Sequence, residues 1–404
     1  MRMQPHIRMG KSVYLFVTIA LALLASIGTL LGLLIGAAKG AANLPQGFTD
    51  SPPVVSGLSN PTDMEFAPDG KLFVLEQAGR VRFVRSDGTL GTFLNISTKV
   101  DATGERGLLG IAFDPAFATN RYVYLHYTRK ATSTVPVHNR VVRVTANATN
   151  TAIVSGSEKL VFRLNNLSSA TNHNGGDIHF HPVNKLLYIA TGDNAQPSNA
   201  QSLNNLKGKV LRINKNGTIP TSNPFYSAAN NTQGLQASGK NRAIFALGFR
   251  NPLKFTFNKF GSLLFVNDVG ENAWEEINEV YAGNNYGWPL YEGQENDPQY
   301  SNPNYAYGHD GDPALTGCAI TGGAFYEPQN PTFPPEYHSQ YFFADFCNGW
   351  IRHYGGLDLT VSYPFASGLG RVVDLQAQDS TGDLYYLARG APGSVRKISY
   401  TPPQ

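Results

Sequence analysis

The sequence predicts an all-β protein, a six-bladed β-propeller preceded by one N-terminal transmembrane helix, and two observations carry that expectation. The first is a repeated phrase: an apolar run, a Gly turn with Asp or Asn, a second apolar run, then a basic residue between aliphatics. Its clearest copy runs from Met64 to Leu75 around Pro68-Asp69-Gly70 and continues through Gly79-Arg80-Val81-Arg82-Phe83-Val84, which reads as three strands of a small antiparallel sheet. Further copies follow at Ile111 to Val144, Ile178 to Ile213, Leu253 to Val280, Ile320 to His353 and Val372 to Ile398. Each shows period-2 alternation, and no long stretch of this region has a helical period. A unit that buries one sheet face needs neighbours, so six sheets stack radially. The second observation is the N-terminus, where Arg2, Arg8 and Lys11 precede an uncharged, mostly apolar run from Ser12 to Ala38.

Taken in chain order, residues 1–11 form a basic cytoplasmic segment and 12–38 a run of membrane-spanning length. That length fits an anchor better than a cleaved signal, while the small residues of Gly36 to Ala42 offer a cleavage site as the other reading. The charge bias places the N-terminus in the cytoplasm and the propeller outside the cell membrane, or secreted if the segment is cut. Residues 39–50 read as a linker, 51–400 as the propeller and 401–404 as a tail.

Gly (41) and Pro (25) supply the turns that many short strands need. Net charge is +3 and charged residues make up 15%, with no basic run to track phosphates, so nucleic-acid binding is excluded. The two cysteines, Cys318 and Cys347, fall in one repeat, and in an exported domain they pair most simply as a disulfide, a free buried pair being the alternative.

Polar clusters between the strands are where chemistry is placed. They are Gly104-Glu105-Arg106-Gly107, Asn172-His173-Asn174-Gly175-Gly176-Asp177 with Thr191-Gly192-Asp193-Asn194, Leu247-Gly248-Phe249-Arg250-Asn251-Pro252, and Asp268-Val269-Gly270-Glu271-Asn272 with Asn285-Tyr286-Gly287-Trp288-Pro289. Each alone is ordinary turn chemistry. A propeller, however, gathers successive loops at one end of its channel. A hairpin over 178–190 puts His173 and Asp193 at matching strand ends, where a carboxylate orients an imidazole base. Arg250 adds a fixed positive charge for a developing anion, and Gly270 lets main-chain carbonyls approach a hard cation such as calcium. His179 and His181 share a strand face without a third ligand in register and read as packing, which argues against zinc.

The run Glu105 to Phe113, the His173 loop, Gly208-Lys209-Val210-Leu211-Arg212-Ile213-Asn214, Leu247 to Pro252 and Asn285 to Pro289 resemble the glucose/sorbosone and aldose sugar dehydrogenases that use pyrroloquinoline quinone. The resemblance spans residues 50 to 400. It implies a six-bladed propeller with quinone and Ca2+ at the channel mouth, oxidation of an aldose-type sugar, and transfer of electrons to an external acceptor, since no haem-attachment Cys-x-x-Cys-His is present. It further implies that His173 is the base, Asp193 its orienter, Arg250 and Asn251 quinone contacts, Glu105 a sugar contact, and Gly270 and Glu271 the calcium turn.

Two departures stand out. Cys347 occupies the place of a family lysine that meets the quinone carboxylates, and a pair of arginines in the sixth blade is reduced to Arg371. Lost cationic partners cost about 1.5–3 kcal/mol each, with Lys254 and Arg389 as candidate replacements. Two other readings follow: an extracellular propeller that binds a glycan or protein without catalysis, and a calcium-dependent lactonase.

Overall fold

Six antiparallel sheets, five of four strands and one of five, are arranged around a common axis in the computed structural model, which describes residues 42–231, 234–355 and 361–404. Strands β1 (Phe48–Asp50) and β2 (Val55–Leu58) come first. Blade one is β3 (Pro61–Phe66), β4 (Leu72–Glu76), β5 (Arg80–Val84) and β6 (Leu90–Asn95). Blade two is β7 (Leu108–Phe113), β8 (Tyr122–Arg129), β9 (His138–Thr145) and β10 (Lys159–Asn166). Blade three is β11 (Ile178–Phe180), β12 (Leu187–Thr191), β13 (Lys209–Ile213) and β14 (Ile244–Leu247). Blade four is β15 (Pro252–Phe257), β16 (Leu264–Asp268), β17 (Trp274–Glu279) and β18 (Tyr305–Gly308). Blade five is β19 (Ile320–Phe325), β20 (Tyr341–Asp345), β21 (Ile351–Tyr354) and β22 (Ser362–Ala366). Blade six is β23 (Val372–Ala377), β24 (Leu384–Ala388) and β25 (Gly393–Tyr400), completed by β1 and β2, which both pair with β25.

All six sequence repeats fall one to a blade. Where the repeat turns, Gly70 takes a φ of 81° and its N–H donates to Ala67 O at 2.8 Å, closing the β3–β4 hairpin. The expected alternation fails in the second strand of five blades. In β4, β12, β16, β20 and β24 every residue is buried, because each blade is sandwiched between two others and its second strand has no solvent face.

The ring is closed by the chain's own early segment. Residues expected as linker belong to the fold from Asn43 onward, which bridges to Ser367, and β1 pairs Phe48 with Tyr400. Asp50 accepts from Arg396 Nη2 at 2.8 Å, from Arg396 Nε at 3.0 Å and from Tyr386 Oη at 3.0 Å, a bidentate clasp across the seam. The expected transmembrane helix over 12–38 lies outside the described residues, and among those residues no helix is long and apolar enough to cross a membrane.

The inner strands β3, β7, β11, β15, β19 and β23 pack in a closed ring. Three of them carry an aspartate, within the strand or just before it, that accepts a main-chain N–H from the next blade. Asp374 takes Met64 N, Asp63 takes Ile111 N and Asp177 takes Phe255 N, each at 2.9 Å. These carboxylates are buried in the channel, and Lys254 lies among them, bonded to Asp63 and 3.3 Å from Asp374. His179 Nε2 sits 3.3 Å from Asp177 with its ring edge-on to Phe255, so it belongs to this network as well as to packing.

Cys318 and Cys347 form the expected disulfide, with Cα atoms 5.8 Å apart and a separation of 29 in sequence. A loop of that length restricts the unfolded chain by about 3 kcal/mol. The Cys318→Ser/Cys347→Ser protein is expected to unfold several degrees lower than wild type by calorimetry, and an unchanged midpoint would show that the bond adds no stability.

Candidate active site

His173 lies in the loop between β10 and β11 with φ 53°, a left-handed conformation that costs a non-glycine residue about 1–2 kcal/mol. Hydrogen bonds on both sides hold it there: its N–H donates to Glu105 Oε2 at 2.7 Å, and its carbonyl accepts from Asn194 N at 3.1 Å. The turn after β12 comes so close that a Cβ on Gly192 would lie 2.3 Å from His173 O, which only glycine permits. His173 Nδ1 donates to Asp193 Oδ1 at 2.8 Å, and Asp193 Oδ2 accepts from Trp288 Nε1 at 2.9 Å. With both oxygens engaged by donors, the fully buried carboxylate is held in one orientation and fixes the imidazole tautomer.

Arg250 and Asn251 join β14 to β15. Asp268 at the end of β16 anchors them, accepting Arg250 N at 2.9 Å and Asn251 N at 2.7 Å. Burial, then the charge of Glu276, push the Asp268 carboxyl well above its ordinary value, against the pull of these two amides. The Arg250 guanidinium lies 5.6 Å from the Trp288 ring and donates through Nη1 to Val269 O at 3.0 Å, while its buried Nε has no partner among the described residues. Asp193 N donates to Arg250 O at 2.8 Å. The Asn251 amide accepts from Gly175 N at 3.0 Å and donates to Glu105 Oε2 at 3.4 Å. Glu105, His173, Asp193, Arg250 and Asn251 therefore form one hydrogen-bonded frame at the same end of the channel.

A cavity of about 480 Å³ opens there, lined by Glu105, Asn251, Lys254, Phe346, Arg371 and Arg389 among others. Glu105, Gly175 and Asn251 form the wall nearest the His173 loop, while His173, Asp193 and Arg250 are not themselves part of the lining. Gly270 and Glu271 also fall outside it. The N–H groups of Glu271, Asn272, Ala273 and Trp274 point at Glu292 Oε1, at 2.6, 3.3, 3.3 and 3.3 Å, so this turn cradles a carboxylate. Among the described residues no group of three or more His, Cys, Asp or Glu is placed to hold a metal.

Residues 58–396 match the family model for glucose/sorbosone dehydrogenase. The chain belongs to that family. It is 30% identical over 283 residues to quinoprotein glucose dehydrogenase B of Acinetobacter calcoaceticus, a match covering 64% of this chain and 56% of that one. It is 32% identical over 239 residues to aldose sugar dehydrogenase YliI of Escherichia coli K12, covering 58% of this chain and 60% of that one. The chain thus spans little more than half the length of these relatives. The fold matches that of the PQQ-bound aldose sugar dehydrogenase of Streptomyces coelicolor at a TM-score of 0.70 and 23% identity, over 89% of this chain and 100% of that one.

In this glucose/sorbosone dehydrogenase family member blade five brings Ala319, Thr321 and Phe346 to the cavity and no cation, with Cys347 in its disulfide. Lys254 is no free replacement for a lost cation, being tied to Asp63 and Asp374. Arg371 does line the cavity, and Arg389 lines it too. Trp288 and Asp268, which hold Asp193 and Arg250 from behind, were visible in the sequence only as members of Gly-rich clusters. A lone donor such as an indole N–H beside several acids was the available signal.

Proposed function

We propose that this protein oxidises an aldose-type sugar at the anomeric hydroxyl, giving a lactone or acid, with pyrroloquinoline quinone and calcium as cofactors. The observation that carries the reading is the convergence of the His173–Asp193–Trp288 chain and the Arg250 guanidinium beside one cavity. The cavity is of ordinary small-ligand size. The buried Nε of Arg250, without a partner among the described residues, and the arginines on the cavity wall suit a planar polyanion. Bound quinone supplies an electrophilic acceptor for a hydride.

The chain's own residues supply the rest. His173, held with its proton on Nδ1, takes the sugar hydroxyl proton at Nε2, and Asp193 stabilises the imidazolium. Arg250 sets positive charge where negative charge develops. Glu105 uses one oxygen to hold His173 N and Asn251, and its other is available to a sugar hydroxyl. Calcium enters from the family resemblance, through the main-chain carbonyls of Gly270 and Glu271, because the side chains among the described residues provide no cluster for it. Electrons pass to an external acceptor, and the 12–38 segment anchors the propeller outside the cell membrane.

Purified full-length protein with quinone, Ca2+, a panel of aldoses and an artificial electron acceptor is expected to reduce the acceptor, and chelation of Ca2+ is expected to stop it. No reduction with any sugar would sink the enzymatic reading; activity indifferent to chelation would remove calcium from it.

A further inference from the structure

We propose that the outer edge of blade two is a binding site for an acidic polysaccharide, whose carboxylate or sulfate groups are gripped by Arg129, Arg140 and Arg163. Charge is spread unevenly along the chain. Of the net +3, residues 1–41 hold +4 through Arg2, Arg8, Lys11 and Lys39, so residues 42–404 carry −1. Within them, residues 115–176 hold seven Lys and Arg against Glu158 alone, a local +6. Protection of a sheet edge does not account for this excess. The outer strand β10 carries Lys159 and Arg163, whereas the outer strands of the other blades, β1, β2, β6, β14, β18 and β22, contain no Lys or Arg.

The strand register gathers the cations. Arg129 stands opposite His138, and Tyr127, Arg140 and Arg163 form one row across β8, β9 and β10. Laterally opposed residues and those two apart share a face, so the three guanidinia rise from one side of the blade, on strands about 4.8 Å apart and with about 6.8 Å between alternate residues. No carboxylate answers them. Arg129, Lys130, Arg140 and Arg163 are in no ion pair among the described residues, and Glu158 is bonded to Lys99 Nζ at 2.7 Å. Neutral acceptors hold the arginines instead. Arg129 Nη1 donates to Lys99 O at 3.3 Å and to Lys130 O at 3.1 Å, and Arg163 Nη2 donates to Asn166 Oδ1 at 3.0 Å. Arg140 donates to His138 Nε2 through Nη2 at 2.6 Å and Nε at 3.1 Å, while His138 Nδ1 donates to Pro136 O at 2.7 Å. Burial, then the charges of Arg140, Arg163 and Arg129, hold this imidazole down at about 4 and keep it a neutral acceptor. Each guanidinium therefore keeps donors for an outside anion.

A polysaccharide suits the ridge better than an acidic protein, because protein interfaces are built on central apolar anchors. The exposed apolar side chains of this blade, Val154 and Leu160, lie at its other end, where Val154 N donates to the O of Thr145, the last residue of β9, and Leu160 pairs with Val142. The cationic end instead leads to the catalytic end of the channel. Asn166 closes β10, and Arg106, beside Glu105, donates to Ser168 O and Ala170 O at 2.8 Å on the way to His173. A polymer on the ridge lies next to the rim where the function proposed above places sugar oxidation, but its binding needs neither quinone nor turnover.

Full-length protein without quinone is titrated by calorimetry with polygalacturonate and with dextran sulfate, and with methyl-esterified pectin and dextran as their uncharged counterparts. Wild type is expected to bind at least one acidic polymer about 10-fold or more tighter than its counterpart, with affinity falling as salt rises. Arg140→Gln/Arg163→Gln is expected to weaken that binding about 10-fold. Lys130→Gln/Arg163→Gln, which changes two exposed positions and leaves the Arg140–His138 contact intact, is expected to weaken it about 5-fold. Arg85→Gln, at an exposed cation of blade one, is expected to change nothing. No binding by wild type, equal affinity for charged and uncharged polymers, or unchanged affinity in both double variants would overturn the site. Polyglutamate of matched charge binding as tightly as the polysaccharides would reassign the ridge to an acidic protein and overturn it as well.

Discussion

His173→Ala is expected to lower the rate of sugar oxidation by about 10²–10⁴-fold, the range a positioned general base contributes, while leaving quinone affinity within a few-fold of wild type. The second half follows because the residues that line the cavity include Glu105, Gly175 and Asn251 but not His173. Asp193→Asn tests the same chain more finely. Trp288 Nε1 is a donor only, so it draws the amide oxygen of the new side chain and turns the NH2 towards His173 Nδ1. That selects the tautomer protonated on Nε2, which cannot act as base. Asp193→Asn is therefore expected to fall nearly as far as His173→Ala in kcat with little change in KM. A variant retaining more than a tenth of wild-type kcat would remove the His173–Asp193 pair from the mechanism.

Replacing Lys254 with Met is expected to cost about 3–5 kcal/mol, the usual penalty for stranding buried partners of an ion pair, and to lower the unfolding temperature by roughly 5–15 °C. Lys254 is 5% exposed and stands between Asp63 and Asp374, which also hold blade one to blades two and six. The loss should be pH-dependent. Burial drives both carboxyls above their ordinary value even against the pull of Lys254. A carboxyl raised in the folded state binds more protons there than in the unfolded chain, so its stability contribution falls as pH rises. The deficit of Lys254→Met relative to wild type should thus be smaller at acid pH than at pH 8, and a deficit independent of pH would show that these carboxylates are not what the lysine holds. His179 works in the same direction in wild type. Burial opposes its charge, yet Asp177 beside it brings the imidazolium up to about 9, so its contribution is full below 6.5 and fades as pH climbs towards 9.

The blade repeat was legible because its turns need particular residues: Asp69-Gly70 closes a hairpin wherever the surrounding fold puts it. The His173–Asp193 pairing was legible for a similar reason, since a hairpin over β11 and β12 brings its two ends together regardless of neighbours. The role of residues 43–50 was not, because β1 is a strand only when β25, some 350 residues later, lies beside it. Arg389 was named as a bare possibility, and Gln77 not at all; Arg389 Nη2 donates to Gln77, whose amide is oriented by two carbonyls from another loop.

Composition, turn chemistry and the order of the polar clusters were by themselves enough to determine an all-β ring of six units and to put His173 beside Asp193. These depend on local backbone preference and on short hairpin distances, which a linear pattern records. Only the tertiary structure decided that Trp288 holds Asp193 and Asp268 holds the Arg250 and Asn251 main chain, that Lys254 is consumed inside the channel, and that Arg371 and Arg389 line one cavity. Those facts arise from contacts between blades distant in sequence, where burial and charge pairing, not residue type, set what each side chain is free to do.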